Sequence, residues 1–307
     1  MTRIGFVFPG QGSQKVGMGK DLYDQYFEVR ELFISANKVL GYDISSICFD
    51  GPDEILTQTA NAQPAIFLVS AALLLLLKRS GIVPAMVAGH SLGEITAYYA
   101  AGVLSFEDAL RVIQVRGAAM AASYPSDDSA MAAIMKVELK VIQRIVSSVK
   151  EGPVVAANLN CPGQIVISGK KAGVAEACEL LSKEGGRAIV LNVSGAFHSP
   201  LMASGSQKLG DFLQDNFFSS AQIPVILNRT ALSEIDATQL KENLSLQVIS
   251  PVNWIGSIQY MAQHVDRLVE CGPGKVLSGL CRKIVPELPM VSVSDLESIK
   301  GIENGPQ

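Results

Sequence analysis

The chain has 307 residues, 48% of them hydrophobic and 18% charged, so it can bury a large core, and its length fits one large domain or two smaller ones. A formal net charge of -4 without any long Lys/Arg block excludes a general attraction to nucleic acid. The five cysteines, Cys48, Cys161, Cys178, Cys271 and Cys281, are odd in number and form no Cys-x-x-Cys pair, which excludes a disulfide framework or zinc site of the usual spacing and points to reduced thiols in a cytosolic protein.

Ile4 to Phe8 reads as a first strand, too short for the core of a signal peptide. Pro9-Gly10-Gln11-Gly12-Ser13-Gln14 follows as a Gly-rich loop that lacks the spacings of dinucleotide and Walker A motifs. Such a loop is either a plain turn or, beside a serine nucleophile, a backbone donor to an oxyanion, and Gln11 is the candidate for that. Leu22 to Leu40 is amphipathic with helical period and ends at Gly41. Ala65 to Leu77 is apolar but shorter than a bilayer-crossing helix, so it predicts a buried core helix with Pro64 in its first turn.

Pro84 to Glu94 brings an apolar run into Gly89-His90-Ser91-Leu92-Gly93 and then a helical pattern that stops at Gly102. This is the Gly-x-Ser-x-Gly pattern of a nucleophile elbow: glycines let strand and helix close sharply, and the helix N-terminus favours negative charge beside the serine. Ser105 caps another helix, which carries Arg116. Taken alone, Arg116 reads as an ordinary solvated arginine.

Met131 to Val193 reads β-α-β-β-α-β, the ferredoxin-like order. It predicts an inserted subdomain over 129–194 within a large α/β domain formed by 1–128 and 195–307, with a cleft between the two. His198 follows this insertion and, with His90 adjoining Ser91 and His264 in a helical pattern, is the candidate base by elimination. Leu246 to Trp254, which includes Gln247, reads as a loop, Val269 to Leu277 reads strand, Gly-Pro-Gly turn, helix, and the tail after Ser298 is expected to fray.

Read together, Pro9 to Gln14, Gly89 to Glu94, Gln114 to Gly117, Gly195 to Ser199, Gln247 with Pro251 to Trp254, and Glu270 to Lys275 make the chain resemble the malonyl-CoA:acyl-carrier-protein transacylases of bacterial type II fatty-acid synthesis over nearly its whole length. The resemblance implies an α/β-hydrolase-like fold with a parallel sheet and a ping-pong mechanism. It assigns Ser91 as nucleophile, His198 as base, the Gln247 carbonyl as its orienting acceptor, Gln11 and Leu92 as oxyanion donors, and Arg116 as partner of the malonyl carboxylate. The implied partners are malonyl-CoA and the acidic holo acyl carrier protein, with no metal, resident cofactor, nucleic acid or membrane, in a cytoplasmic monomer. Carrier docking falls to Lys275, Arg282, Lys283, Lys136 or Lys140. A discrete acyltransferase of a polyketide or polyunsaturated-fatty-acid synthase is the alternative, and a thioester or ester hydrolase or an idle carrier-binding module a remoter one.

Overall fold

The computed structural model describes residues 2–193, 195–215 and 217–304. Ser194, the expected end of the insertion, and the last residues of the tail lie outside them. Among the described residues, ten strands form two sheets. The larger takes β1 (Ile4–Phe8), β2 (Met86–Gly89), then, beyond the four strands of the smaller sheet, β7 (Val225–Ile226), β8 (Ser233–Glu234), β9 (Arg267–Cys271) and β10 (Met290–Val293). Their order is β10-β9-β1-β2-β7-β8, parallel throughout except for β8. β1 is buried along its length, with Phe6 and Phe8 in one apolar cluster and Val7 in another, as expected for a parallel sheet covered on both faces. Because the strands are parallel, the loops after β1, β2 and β7 emerge at one edge, where α/β sheets place their ligands.

The smaller sheet is antiparallel, β3 (Ser129–Met135), β4 (Val154–Cys161), β5 (Gln164–Lys170) and β6 (Arg187–Val190), in the order β4-β5-β3-β6. Helices Leu139–Ser148 and Lys171–Lys183 cover it around a core of its own. This is the ferredoxin-like arrangement expected from the sequence. It is stitched to the larger body by main-chain bonds, Leu159 N–H to the Val252 carbonyl at 2.9 Å and Val252 N–H to the Ala157 carbonyl at 2.8 Å.

Four local expectations are corrected. The amphipathic stretch is two helices, Lys20–Gln25 and Phe27–Leu40, because Tyr26 is extended between them at φ -117°. Pro64 is not in the first turn: its helix begins at Thr59 and runs 21 residues to Arg79. Proline cannot donate to the Ala60 carbonyl, and the Tyr42 hydroxyl does so instead at 3.2 Å. Although long and apolar enough to cross a membrane, this helix is packed inside the core. The expected loop starts later than Leu246, because Leu246 and Gln247 are the last two residues of helix Ala237–Gln247, started by Asp236 as N-cap. The tail holds a helix, Leu296–Asn304, because Ile299 is buried against the core and Asp295 accepts the Ser298 N–H at 2.9 Å.

Candidate active site

At the end of β2 the chain turns through Ser91, which stands at φ 52°, a left-handed conformation rare for a residue with a side chain. The glycines around it are required by contact. A Cβ on Gly89 would lie 1.8 Å from the Gly93 carbonyl oxygen, and one on Gly93 would lie 2.1 Å from that of Phe8. Helix Gly93–Ala100 then starts directly behind the serine.

Ser91 Oγ lies 2.7 Å from His198 Nε2. His198 Nδ1 lies 3.1 Å from the Gln247 carbonyl oxygen and 3.2 Å from that of Ser250. Carbonyls only accept, so Nδ1 carries the proton and Nε2 is left to accept from the serine. Burial, and next the nearby Arg116 charge, pull the His198 pKa down to about 3. The imidazole is therefore neutral near pH 7, the state a base needs.

Arg116 is fully buried, and its solvated reading is overturned. Nη2 donates to Ser91 Oγ at 3.1 Å and to Gln247 Oε1 at 2.9 Å, Nη1 donates to Gln63 Oε1 at 3.0 Å, and Nε has no partner among the described residues. Burial lowers its pKa to about 10, which leaves it charged. Near enough to feel its charge lies Glu94, whose carboxylate accepts the Asn228 N–H at 2.6 Å and Asn243 Nδ2–H at 2.9 Å. Burial raises this carboxyl to about 7 against the pull of those donors and of Arg116.

The site opens into a cleft of about 340 Å³. Gln11, Ser91, Leu92 and His198 line it from the larger body, and Met131, Asn158, Asn160 and Val166 from the smaller sheet. The expected cleft between the two parts is thus present, and Arg116 lies beneath its floor. The Gln11 and Leu92 N–H groups donate to no acceptor among the described residues, whereas the Ser91 N–H is taken by Asn228 Oδ1 at 2.7 Å. His90 is turned to Asn160, with Nε2 2.9 Å from Oδ1, and its ring meets Trp254 edge-on. His264 is away from the cleft, stacked on Tyr260. None of Lys275, Arg282, Lys283, Lys136 and Lys140 lines the cleft.

Six candidates, Ser91, His198, Gln247, Arg116, Gln11 and Leu92, therefore converge. Sequence reasoning missed Glu94, Asn228, Asn243, Gln63 and Ser250. Glu94 carried a signal, as an acid in the first turn of the elbow helix; the others carried none beyond being polar. A hydroxyl aimed at a neutral imidazole, with backbone donors beside it and a buried cation beneath, suits acyl transfer from an ester or thioester.

The parallel sheet with its serine elbow and the small antiparallel sheet across the cleft define a serine-type acyltransferase architecture, and residues 5–271 match the family described as the Acyl transferase domain. The chain is 46% identical over 304 residues to the malonyl CoA-acyl carrier protein transacylase of Bacillus subtilis (strain 168), covering 98% of this chain and 96% of that one. It superposes with a TM-score of 0.95 on an acyl carrier protein S-malonyltransferase from Vibrio cholerae O1 biovar eltor str. N16961, 40% identical and covering 98% and 100% of the two chains. A malonyl-transacylase solved in complex with its type II PKS acyl-carrier protein gives 0.96 at 36% identity, covering 99% and 100%. The chain belongs to the malonyl CoA-acyl carrier protein transacylase family.

Proposed function

We propose that this chain moves a malonyl group from malonyl-CoA to the phosphopantetheine thiol of holo acyl carrier protein, supplying fatty-acid synthesis, through a malonyl ester on Ser91. The observation that carries the reading is the convergence on one hydroxyl: Ser91 Oγ is 2.7 Å from His198 Nε2 and 3.1 Å from Arg116 Nη2. Family membership and the names of the relatives support the substrates.

Ser91 Oγ attacks the thioester carbonyl while its proton passes to His198 Nε2. The developing oxyanion faces the Leu92 and Gln11 N–H groups. The C–S bond breaks, and the proton moves from His198 to the departing CoA sulfur. The carrier thiol then runs the same sequence in reverse order, giving its proton to His198 and restoring the serine. Arg116 pairs with the free carboxylate of the malonyl group. Its unpartnered Nε and the Nη2 that holds Ser91 Oγ in the resting chain supply the donors. That pairing offsets the charge that helps hold His198 down, so a dicarboxylic acyl group strengthens the base that serves it.

We place the reaction in the cytoplasm, in a monomer without a resident metal or cofactor. Service to a polyketide carrier is the second reading, favoured by the likeness to the malonyl-transacylase bound to a type II PKS carrier. Transfer assays with malonyl-CoA and purified holo carriers of the two kinds test both. A chain that hydrolyses malonyl-CoA but loads neither carrier would exclude them together.

A further inference from the structure

The elbow is held from a strand that the acyl-transfer reading does not use. β7 pairs with β2 only at Val225 and Ile226. Two residues on, the fully buried Asn228 turns its carboxamide to the end of β2: Nδ2 donates to the Gly89 carbonyl at 2.6 Å and Oδ1 accepts the Ser91 N–H at 2.7 Å. In a parallel ladder the neighbouring strand's peptides make these two bonds, to the carbonyl before and the N–H after the residue they face. The side-chain amide thus continues the ladder opposite His90, beyond the end of β2, into the turn where Ser91 stands at φ 52°. Asn228 is itself fixed from both sides, because its N–H donates to Glu94 Oε2 at 2.6 Å and its carbonyl accepts the Asn253 N–H at 2.8 Å.

We propose that Asn228 is a positioning residue for the nucleophile: by holding the Gly89 carbonyl and the Ser91 N–H together it maintains the left-handed turn, sets the line from Oγ to His198, and leaves the Leu92 N–H to face the oxyanion. The proposal rests on the acyl-transfer reading above. Its chemistry demands a donor and an acceptor side by side. Asp has the shape of Asn, but its ionised form sets an oxygen against the Gly89 carbonyl oxygen. Its protonated form restores both bonds, with O–H as donor and C=O as acceptor. Ala restores neither.

The test is the single-turnover rate of Ser91 malonylation from malonyl-CoA, followed by intact mass, in wild type, Asn228→Asp and Asn228→Ala at about pH 8 and about pH 5.5. Malonyl-CoA affinity is measured for each in a Ser91→Ala background. Both variants are expected to acylate on the order of a hundredfold more slowly at the higher pH, with affinity unchanged. The Asp variant alone should recover about tenfold relative to wild type at the lower pH, as its buried carboxyl takes a proton. Glu94, His90, His198, Arg116 and Arg229 surround the site in all three proteins, so the ratio to wild type removes their contribution. Acylation within about threefold of wild type in either variant, or an Asp deficit independent of pH, overturns the proposal. If the Asp variant fails to fold, the Ala rate and affinity decide. A wild-type chain that forms no malonyl ester would instead overturn the acyl-transfer reading itself.

Discussion

Arg116 and Glu94 are both buried inside the larger body; Arg116 donates to Gln63 and Gln247, and Glu94 accepts from Asn228 and Asn243, in place of the water they give up. Arg116→Ala removes the proposed partner of the malonyl carboxylate and is expected to lower kcat/KM for malonyl-CoA by roughly two to three orders of magnitude, or roughly 3 to 5 kcal/mol. Acetyl-CoA loses only the hold on Ser91 Oγ, so its transfer should fall much less, and Arg116→Lys should recover part of the malonyl activity. Equal losses for the two substrates would remove the carboxylate role. His198 and His90 are both kept neutral by burial. As pH falls below the ordinary 6.5, the unfolded chain takes protons that the native chain refuses, so stability is lost from there toward the folded His198 pKa of about 3. Glu94 acts in the opposite sense: its folded pKa of about 7 exceeds the ordinary 4.5, so stability is gained as pH falls through that window. Urea melts at about pH 6.5 and about pH 5.5 should show His198→Ala losing roughly 1 kcal/mol less than wild type over the interval, and Glu94→Gln losing more. Equal pH dependence in wild type and His198→Ala would mean that His198 titrates normally in the folded chain.

The turn between β2 and helix Gly93–Ala100 brings backbones so close that a methyl group has no room, whereas a Cβ added to Gly117, inside helix Phe106–Ala121, would meet nothing within 4 Å. Gly93→Ala is therefore expected to prevent folding or abolish acylation. Gly117→Ala should raise stability by about 0.5 to 1 kcal/mol, through the helix interior's preference for Ala, as read from urea melts. A destabilised Gly117→Ala would mean that the open space is needed. The elbow was legible in the sequence because its glycines, its serine and the helix behind it are adjacent, so one short window carries the whole constraint. His198 was legible for a different reason, since only three histidines exist and the other two had local explanations. Asn228 was not, because a lone Asn after a two-residue strand has no period and its partners lie 137 and 139 positions away. The break at Tyr26 was hidden because apolar spacing continues across it, and the true start of the Pro64 helix depended on a hydroxyl from another segment, Tyr42. Helix and strand order in the insertion, by contrast, followed directly from period and turn residues, and the sheet bears it out.

In the molecule as a whole, the loops after β1 and β2 meet the smaller sheet across the cleft, and main-chain bonds at Val252 tie β4 to the larger body. Under the proposed function, an acidic carrier must find local positive charge on a chain of net charge -4. Charge reversal at Lys275, Arg282 and Lys283, or at Lys136 and Lys140, is expected to raise KM for holo carrier several-fold, more at low salt, while leaving malonyl exchange with free CoA unchanged. Equal effects on carrier and CoA would remove the docking role. The claim on which the rest depends is the serine ester, and intact mass with peptide mapping after incubation with malonyl-CoA alone measures it. One malonyl group on Ser91, absent from Ser91→Ala, is the expected result. The buried cysteines offer no competing site, since burial pushes the Cys48 thiol up to about 12 and that of Cys271 well above its ordinary value. A label on any other residue, or one that survives in Ser91→Ala, would contradict the account.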